Sequence, residues 1–140
     1  MQIREIKRDL FSCKDECLAH CVSSDFKMGL GIAKRFKEEF GRVDELLKHG
    51  AAVGDIVPLR IDNRFIYYLV TKERYWGKPC YADLLKCLLK MKDHAIENKI
   101  TKIAMPKIGC GLDKLDWDIV KSMIIECFEE TKIEIVVYCL

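Results

Sequence analysis

The run Lys107-Ile108-Gly109-Cys110-Gly111-Leu112-Asp113 has the residue types for holding an anion and, at its end, for moving a proton. The short apolar run Ile103-Ala104-Met105-Pro106 before it reads as a buried strand, and Pro106 suits only its end. Its two glycines admit backbone torsions that a Cβ forbids. Asp113-Lys114-Leu115-Asp116-Trp117 then opens a helical pattern with Asp113 or Asp116 at the N-cap. Strand, glycine loop and helix start in that order expose N–H groups at a positive helix end, which suits phosphate. A plain tight turn would use the same residues. A second loop, Lys27-Met28-Gly29-Leu30-Gly31-Ile32-Ala33, also runs into a helix, and two such loops could hold a diphosphate from both sides by backbone donors. It resembles half of a dinucleotide fingerprint, but the third glycine is missing. No GxGxxG follows the first strand, and no Walker lysine follows either loop. A nicotinamide enzyme and a nucleoside triphosphatase are both disfavoured.

Lys72 stands directly past the apolar run Arg64–Thr71, and after it comes the polar-aromatic loop Glu73-Arg74-Tyr75-Trp76-Gly77-Lys78-Pro79. The eight cysteines, Cys13, Cys17, Cys21, Cys80, Cys87, Cys110, Cys127 and Cys139, read as reduced thiols, since no secretory signal precedes them. Cys13, Cys17, Cys21 and His20 raise a zinc reading. There is no CxxC pair, and His20 and Cys21 lie in an apolar strand-like run, so buried small hydrophobes fit better and no metal is expected. Cys110 has no histidine beside it in sequence to activate it as a nucleophile.

The elements that must carry these residues alternate. Strands are predicted at Ile3–Lys7, Leu18–Val22, Gly54–Arg60, Arg64–Thr71, Lys102–Met105 and Ile133–Tyr138. Asp9-Leu10-Phe11-Ser12 breaks the first, and Asp62-Asn63 makes a hairpin of the third and fourth. A helix with Ile32, Ala33, Phe36 and Phe40 at helical spacing closes at Gly41, and Val43, Leu46 and Leu47 mark a further short one. Tyr81–Asn98 is a long helix with Leu84, Leu85, Leu88, Met91 and Ala95 inward; Leu115–Glu130 is another with Ile119, Val120, Met123, Ile124 and Phe128 inward. The pattern argues an α/β sandwich whose mixed sheet is covered on both faces. Ligands in such folds bind at the carboxyl ends of the strands, where both glycine loops and Lys72 fall.

At 140 residues the chain is one domain, 1–140, able to bury a single core. A formal charge of +2 and the lack of any Lys/Arg block give no nucleic-acid footprint. There is no signal peptide and no apolar stretch near ~18 residues, so neither export nor a membrane is expected. An intracellular, cytoplasmic monomer is the expectation, nuclear if the source is eukaryotic.

Asp9-Leu10-Phe11, Leu18-Ala19-His20-Cys21-Val22-Ser23, Met28-Gly29-Leu30-Gly31-Ile32-Ala33 and Met105–Asp113 together resemble the macrodomain motifs. Within macrodomains the chain is most similar to the terminal ADP-ribose protein glycohydrolase branch, also called O-acetyl-ADP-ribose deacetylases. That similarity rests on Tyr68-Leu69-Val70-Thr71-Lys72 and the terminal Val137-Tyr138-Cys139-Leu140. The Asn-rich first loop of the MacroD-type branch is absent. The resemblance spans nearly the whole chain and implies a three-layer α/β/α sandwich that binds ADP-ribose and ADP-ribosylated proteins without a cofactor. It implies that Asp9 accepts from the adenine amino group, with Leu10 and Leu140 lining the adenine pocket. Ser23 would lie beside sugar or phosphate. Gly29, Gly31 and Ile32 would form one phosphate loop, and Lys107, Ile108, Gly109, Cys110, Gly111 and Leu112 the other. Lys72 would be the nucleophile at the distal ribose, and Asp113 the acid/base.

The chemistry is consistent with those roles. A lysine attacks only as the free amine, which apolar surroundings favour; a nearby carboxylate favours the ammonium but can also take the proton during attack. The plainer readings are a solvated Lys72, an N-capping Asp113, a strand-end hydroxyl at Ser23 and aromatics at Tyr75 and Trp76 that only pack. A sharper one makes the two aromatics a partial lid over the distal ribose. The implied reaction removes mono-ADP-ribose from glutamate or aspartate esters, with O-acetyl-ADP-ribose as a second substrate. The rivals are a non-catalytic ADP-ribose reader, an ADP-ribose 1″-phosphate phosphatase, and a hydrolase of ADP-ribosylated DNA, on which the weak positive charge is silent.

Overall fold

The strands at the centre of the sheet are mostly apolar because helices cover both of their faces. In the computed structural model, which describes every residue except Asp15, the strands are Gln2–Lys7 (β1), Cys17–Ser23 (β2), Ile56–Ile61 (β3), Arg64–Lys72 (β4), Lys102–Met105 (β5) and Glu134–Cys139 (β6). The helices are Gly31–Phe40 (α1), Val43–Lys48 (α2), Tyr81–Glu97 (α3) and Trp117–Phe128 (α4). The sheet order is β1-β6-β5-β2-β4-β3. All neighbours pair parallel except β3 and β4, whose antiparallel hairpin turns through Asp62 at a φ of 55°. The expected mixed sheet and sandwich are therefore present.

Alternation along β2 divides the core. Cys17 and Ala19 join Tyr67 and Leu69 under α3 and α4, where Leu84, Leu88, Met91, Val120, Ile124 and Phe128 are buried. Leu18 and Val22 join Tyr68 and Val70 on the opposite face, under Phe36 of α1 and Leu46 of α2. The inward stripes differ slightly from the sequence expectation. Leu85 and Ile119 are 38% and 47% exposed, and Cys87 and Cys127 take the inward places beside them. The stripes are rotated slightly, because the buried face of each helix is set by the sheet and the neighbouring helix it packs on.

The expected break at Asp9–Ser12 is a 3₁₀ turn, Leu10–Ser12, capped by the Asp9 carboxylate on Phe11 N at 3.1 Å. Helix α4 starts two residues later than expected, at Trp117, because Asp116 takes the N-cap and accepts from Asp118 N at 2.9 Å. That choice leaves Asp113 free. The strand β2 also separates the residues behind the zinc reading, since Cys17 packs on the α3 side of the sheet while His20 stacks on Phe36 of α1.

His20 is fully buried, its ring 3.7 Å from that of Phe36 with only 10° between their planes. Among the described residues neither ring nitrogen has a hydrogen-bond partner, and burial pushes its pKa down to about 3. The unfolded chain takes up a proton here below its ordinary value near 6.5, whereas the folded chain does not. Folding stability must then fall as pH drops from about 6.5 towards 3, by up to ~1.4 kcal/mol per pH unit. His94 is also held down by burial and adds to the same slope. Denaturant melts of wild type and His20→Phe between about pH 6.5 and 4.5 isolate His20, because most carboxylates titrate lower. The wild type should lose the additional ~1.4 kcal/mol per unit, and parallel curves would refute the buried neutral imidazole.

Candidate functional site

Because β1, β6, β5, β2 and β4 run parallel, their carboxyl ends share one edge of the sheet. Asp9, Lys72, Leu140 and both glycine loops follow those ends directly. Strands β2 and β5 pair only through Cys17 with Ile103 and Leu18 with Ala104. Ala19–Ser23 thus runs on with no β5 partner, and the sheet opens between the two strands. The connection after β2 leads to α1 on one face, and the connection after β5 leads to α4 on the other. This is the switch point at which open α/β sheets bind ligands.

The first loop leaves β2 into α1. Leu30 occupies the N-cap of α1 and offers no side-chain acceptor, and no acidic residue lies in the first turn. Among the described residues the N–H groups of Gly31, Ile32 and Ala33 have no protein acceptor, which leaves donors and the positive helix end for an anion. The second loop closes on itself through Cys110 N to Lys107 O at 3.1 Å, Lys114 N to Gly111 O at 3.2 Å and Leu115 N to Gly109 O at 2.8 Å. The N–H groups of Gly109, Gly111 and Leu112 are left without a described acceptor. Gly109 is required as glycine, since its φ is +72° and a Cβ would come within 2.8 Å of Leu115 Cδ1.

The loops meet across the opening, for a Cβ on Gly31 would stand 3.2 Å from Leu112 Cδ1. Gly29 and Gly111, in contrast, have nothing within 4 Å of where a Cβ would be. Ile108 is buried and anchors the second loop in the core. The Lys107 amine goes elsewhere, to Glu5 at 3.8 Å and over the Trp117 ring at 5.9 Å, so its contribution to the loop is its backbone. Cys110 keeps its thiol on the Ile108 carbonyl, and burial pushes it up to about 11, which opposes a thiolate role.

Lys72 ends β4, next to β2 in the sheet. Its Nζ donates to Asp113 Oδ1 at 2.6 Å, and the two side chains are only 15% and 17% exposed. The backbone fixes the lysine, because Ser24 N donates to Lys72 O at 2.8 Å and Ser24 Oγ donates to Glu73 O at 2.8 Å. The plain reading of a solvated strand-end lysine does not describe this residue. An amine against a carboxylate, at the rim of a cradle of N–H donors, can pass a proton between its two members and attack an electrophilic carbon.

Ser23 is buried, and its hydroxyl donates to Asp25 Oδ1. Asp25 escaped the sequence reading although Ser-Ser-Asp after a strand is an Asx-turn signal. Its carboxylate also accepts from Lys27 N at 3.1 Å and Tyr75 N at 3.1 Å, which ties the first loop to the loop after Lys72. Burial works to raise the Asp25 pKa, but those three donors outweigh it and hold the carboxyl below its ordinary range. Asp9, Leu10 and Leu140 all follow the Lys7–Cys139 pair at the adjoining ends of β1 and β6, where Arg8 N donates to Cys139 O at 2.8 Å. Leu10 is buried and Leu140 is largely exposed. Arg35 of α1 was the other residue missed. It clamps Asp9 through Nη1 to Oδ1 at 2.9 Å and Nη2 to Oδ2 at 3.1 Å, and it lies 4.4 Å over the Phe11 ring. That pair, with Phe11 N, holds the Asp9 carboxyl below its usual pKa. Oδ1 is filled by two donors, and Oδ2 retains a lone pair for a further one. Nothing local in the sequence marks an arginine 26 residues away on a polar helix face as the partner of Asp9.

The concavities of about 320 and 340 Å³ lie at the opposite edge of the sheet, around Thr101 and Lys132, and belong to the strand starts.

The Macro domain family model matches residues 19–124 of the chain. The chain is 50% identical over 140 residues to a human protein named ADP-ribose glycohydrolase OARD1, covering 99% of this chain and 92% of that one. It is 48% identical to the Bos taurus protein of the same name, with the same coverage. Among solved structures, the macrodomain of Thermus aquaticus DarG superposes with a TM-score of 0.88 at 25% identity, covering 99% of each chain.

Proposed function

The chain belongs to the Macro domain family, and from that premise we propose that it is an ADP-ribose glycohydrolase that releases mono-ADP-ribose from carboxylate side chains of modified proteins. The observation that carries this reading is the Lys72–Asp113 contact at 2.6 Å beside the two loops. A protein that only bound ADP-ribose would have no use for a shielded amine held against a carboxylate. The names of the relatives at 50% and 48% identity support the same activity.

The diphosphate lies between the free N–H groups of the α1 start and those of Gly109, Gly111 and Leu112. Asp9 Oδ2 accepts from the adenine amino group, and Leu10 and Leu140 border the base. With the nucleotide so held, C1″ of the distal ribose comes to Lys72 in this reading. Asp113 takes a proton from the Lys72 ammonium, and the free amine attacks C1″. A C1″–N bond forms as the C1″–O bond to the acceptor breaks, and the acceptor leaves as a glutamate or aspartate carboxylate. Such a leaving group is stable as the anion, so it needs no protonation. The proton on Asp113 passes to solvent, and its carboxylate then takes one from the water that attacks C1″; the C1″–N bond breaks, and Asp113 returns that proton to the Lys72 amine. O-acetyl-ADP-ribose presents a related ester and is the second substrate of this site.

Product analysis by mass spectrometry on ADP-ribosylated glutamate, serine and thymidine substrates tests the reading. Release from glutamate at a rate at least about tenfold above the other two is expected, because carboxylate is the best leaving group of the three. Binding of ADP-ribose with no release from any of them would leave a reader. Phosphate release from ADP-ribose 1″-phosphate alone would leave a phosphatase.

A further inference from the structure

Arg74, Tyr75 and Trp76 form a tight turn just after Lys72, tied to the first loop through Asp25. The turn is closed by Gly77 N donating to Arg74 O at 2.9 Å. A Cβ on Gly77 would lie 3.9 Å from Lys72 Cβ, so the turn ends against the root of the reactive side chain. Asp25 holds it from the side through Tyr75 N, and Ser24 Oγ holds Glu73 O. Three anchors of that kind make a fixed projection. At its apex Tyr75 and Trp76 are 50% and 70% exposed, and their rings meet edge to face with centroids 5.0 Å apart. Apart from Lys27 Nζ, 6.0 Å from the Tyr75 centroid, no charged or aromatic group of the described chain faces either ring. Folding therefore gains little from them, and two large aromatics kept in water next to a reactive centre call for a partner.

We propose that the Arg74-Tyr75-Trp76 turn is the docking surface for the acceptor protein, and that it grips an acidic segment of polypeptide flanking the modified carboxylate. This proposal rests on the hydrolase reading above and names what that reading leaves open, the part of the substrate beyond the scissile bond. Position favours it, because the turn abuts Lys72, at whose amine the acceptor must leave. Composition favours it too: Trp, Tyr and Arg are the residues most enriched where protein interfaces concentrate their binding energy. Charge sets the chemistry of the partner. Lys27, Arg74 and Lys78 belong to the two loops that meet at Asp25 and are exposed, while the Asp25 carboxylate accepts from Ser23, Lys27 N and Tyr75 N. A glutamate- or aspartate-rich stretch matches three exposed cations that, among the described residues, make no direct ion pair. A nucleic-acid strand would call for a longer basic track than these, and with a net charge of +2 the chain carries no Lys/Arg block to supply one.

The test compares wild type with Trp76→Ala and Trp76→Phe on three substrates, a mono-ADP-ribosylated peptide with acidic flanks, the same peptide with serine flanks, and ADP-ribosyl-glutamate with no chain. Trp76→Ala should lower kcat/KM on the acidic peptide by about tenfold, chiefly through KM, and Trp76→Phe should restore most of it. Turnover of ADP-ribosyl-glutamate should stay within about twofold, and the wild type should prefer acidic over serine flanks. An equal loss on ADP-ribosyl-glutamate would make the ring a lid on the ribose and overturn the proposal. No loss on the acidic peptide, or a loss confined to an ADP-ribosylated thymidine oligonucleotide, would also overturn it. If the wild type releases nothing, the hydrolase reading fails while docking is still read by competition: the acidic peptide must displace ADP-ribose at lower concentration than free ADP-ribose does, and Trp76→Ala must abolish that advantage.

Discussion

Lys72→Ala should lower kcat for release of ADP-ribose from a glutamate ester by about 10³-fold or more, with ADP-ribose affinity changed by no more than about threefold. The two quantities separate because the contacts proposed for the nucleotide, Asp9 and the backbone donors of the two loops, do not involve the lysine. Removal of the amine also leaves the Asp113 carboxylate, 17% exposed, without its partner, and that alone could disturb the site. Lys72→Arg meets the difficulty, since a guanidinium keeps the charge and the pairing and is not a nucleophile at any accessible pH. It should be as inactive as the alanine variant, and retention of a tenth of wild-type activity would remove the covalent step. Asp113→Asn keeps the shape, loses the proton acceptor, and should stall the reaction at the same point. Mass spectrometry of wild type quenched during turnover should find the ADP-ribosyl adduct on the peptide containing Lys72.

Gly111→Glu should weaken ADP-ribose binding about 10²-fold without a measurable change in the unfolding midpoint. Nothing lies within 4 Å of the position a Cβ would take, and the φ of Gly111 is not in the left-handed region, so a side chain enters without displacing the fold. It does enter the space expected to hold the diphosphate. A carboxylate about 5 Å from a phosphate at an effective dielectric constant near 20 costs about 3 kcal/mol, or roughly 10²-fold. Gly111→Ala is the control and should bind nearly as wild type. Titration calorimetry on both variants checks the placement of the ligand, and undiminished affinity in Gly111→Glu would move the diphosphate out of the second loop. Gly109 could not serve for this experiment, because its φ of +72° and the nearby Leu115 side chain would confound binding with stability.

The local chemistry of this chain was legible in its sequence. Apolar runs bounded by turns marked all six strands, and the spacing of Phe36, Leu88 and Ile124 marked helices, because both signals arise from periods of a few residues. The glycine loops were legible for the same reason. Sequence spacing could not choose between Asp113 and Asp116 as the cap of α4, since both suit an N-cap. The fold assigned Asp116 to the helix and Asp113 to a lysine 41 residues earlier. Nor could helical periodicity tell Leu85 or Ile119 from their buried neighbours, for the width of a buried stripe depends on the surface it meets.

By itself, then, the amino-acid order determined the elements, the two glycine turns and the kinds of side chain that could react. Tertiary structure alone decided which of those groups meet. Parallel pairing put five strand ends on one edge, and the short β2–β5 ladder opened the sheet between them. Lys72 came against Asp113, Arg35 against Asp9, and the Tyr75–Trp76 turn was pinned beside the amine by Asp25. Contacts of that kind join residues tens of positions apart, and their partners are selected by strand order and register, which no local pattern of residues encodes.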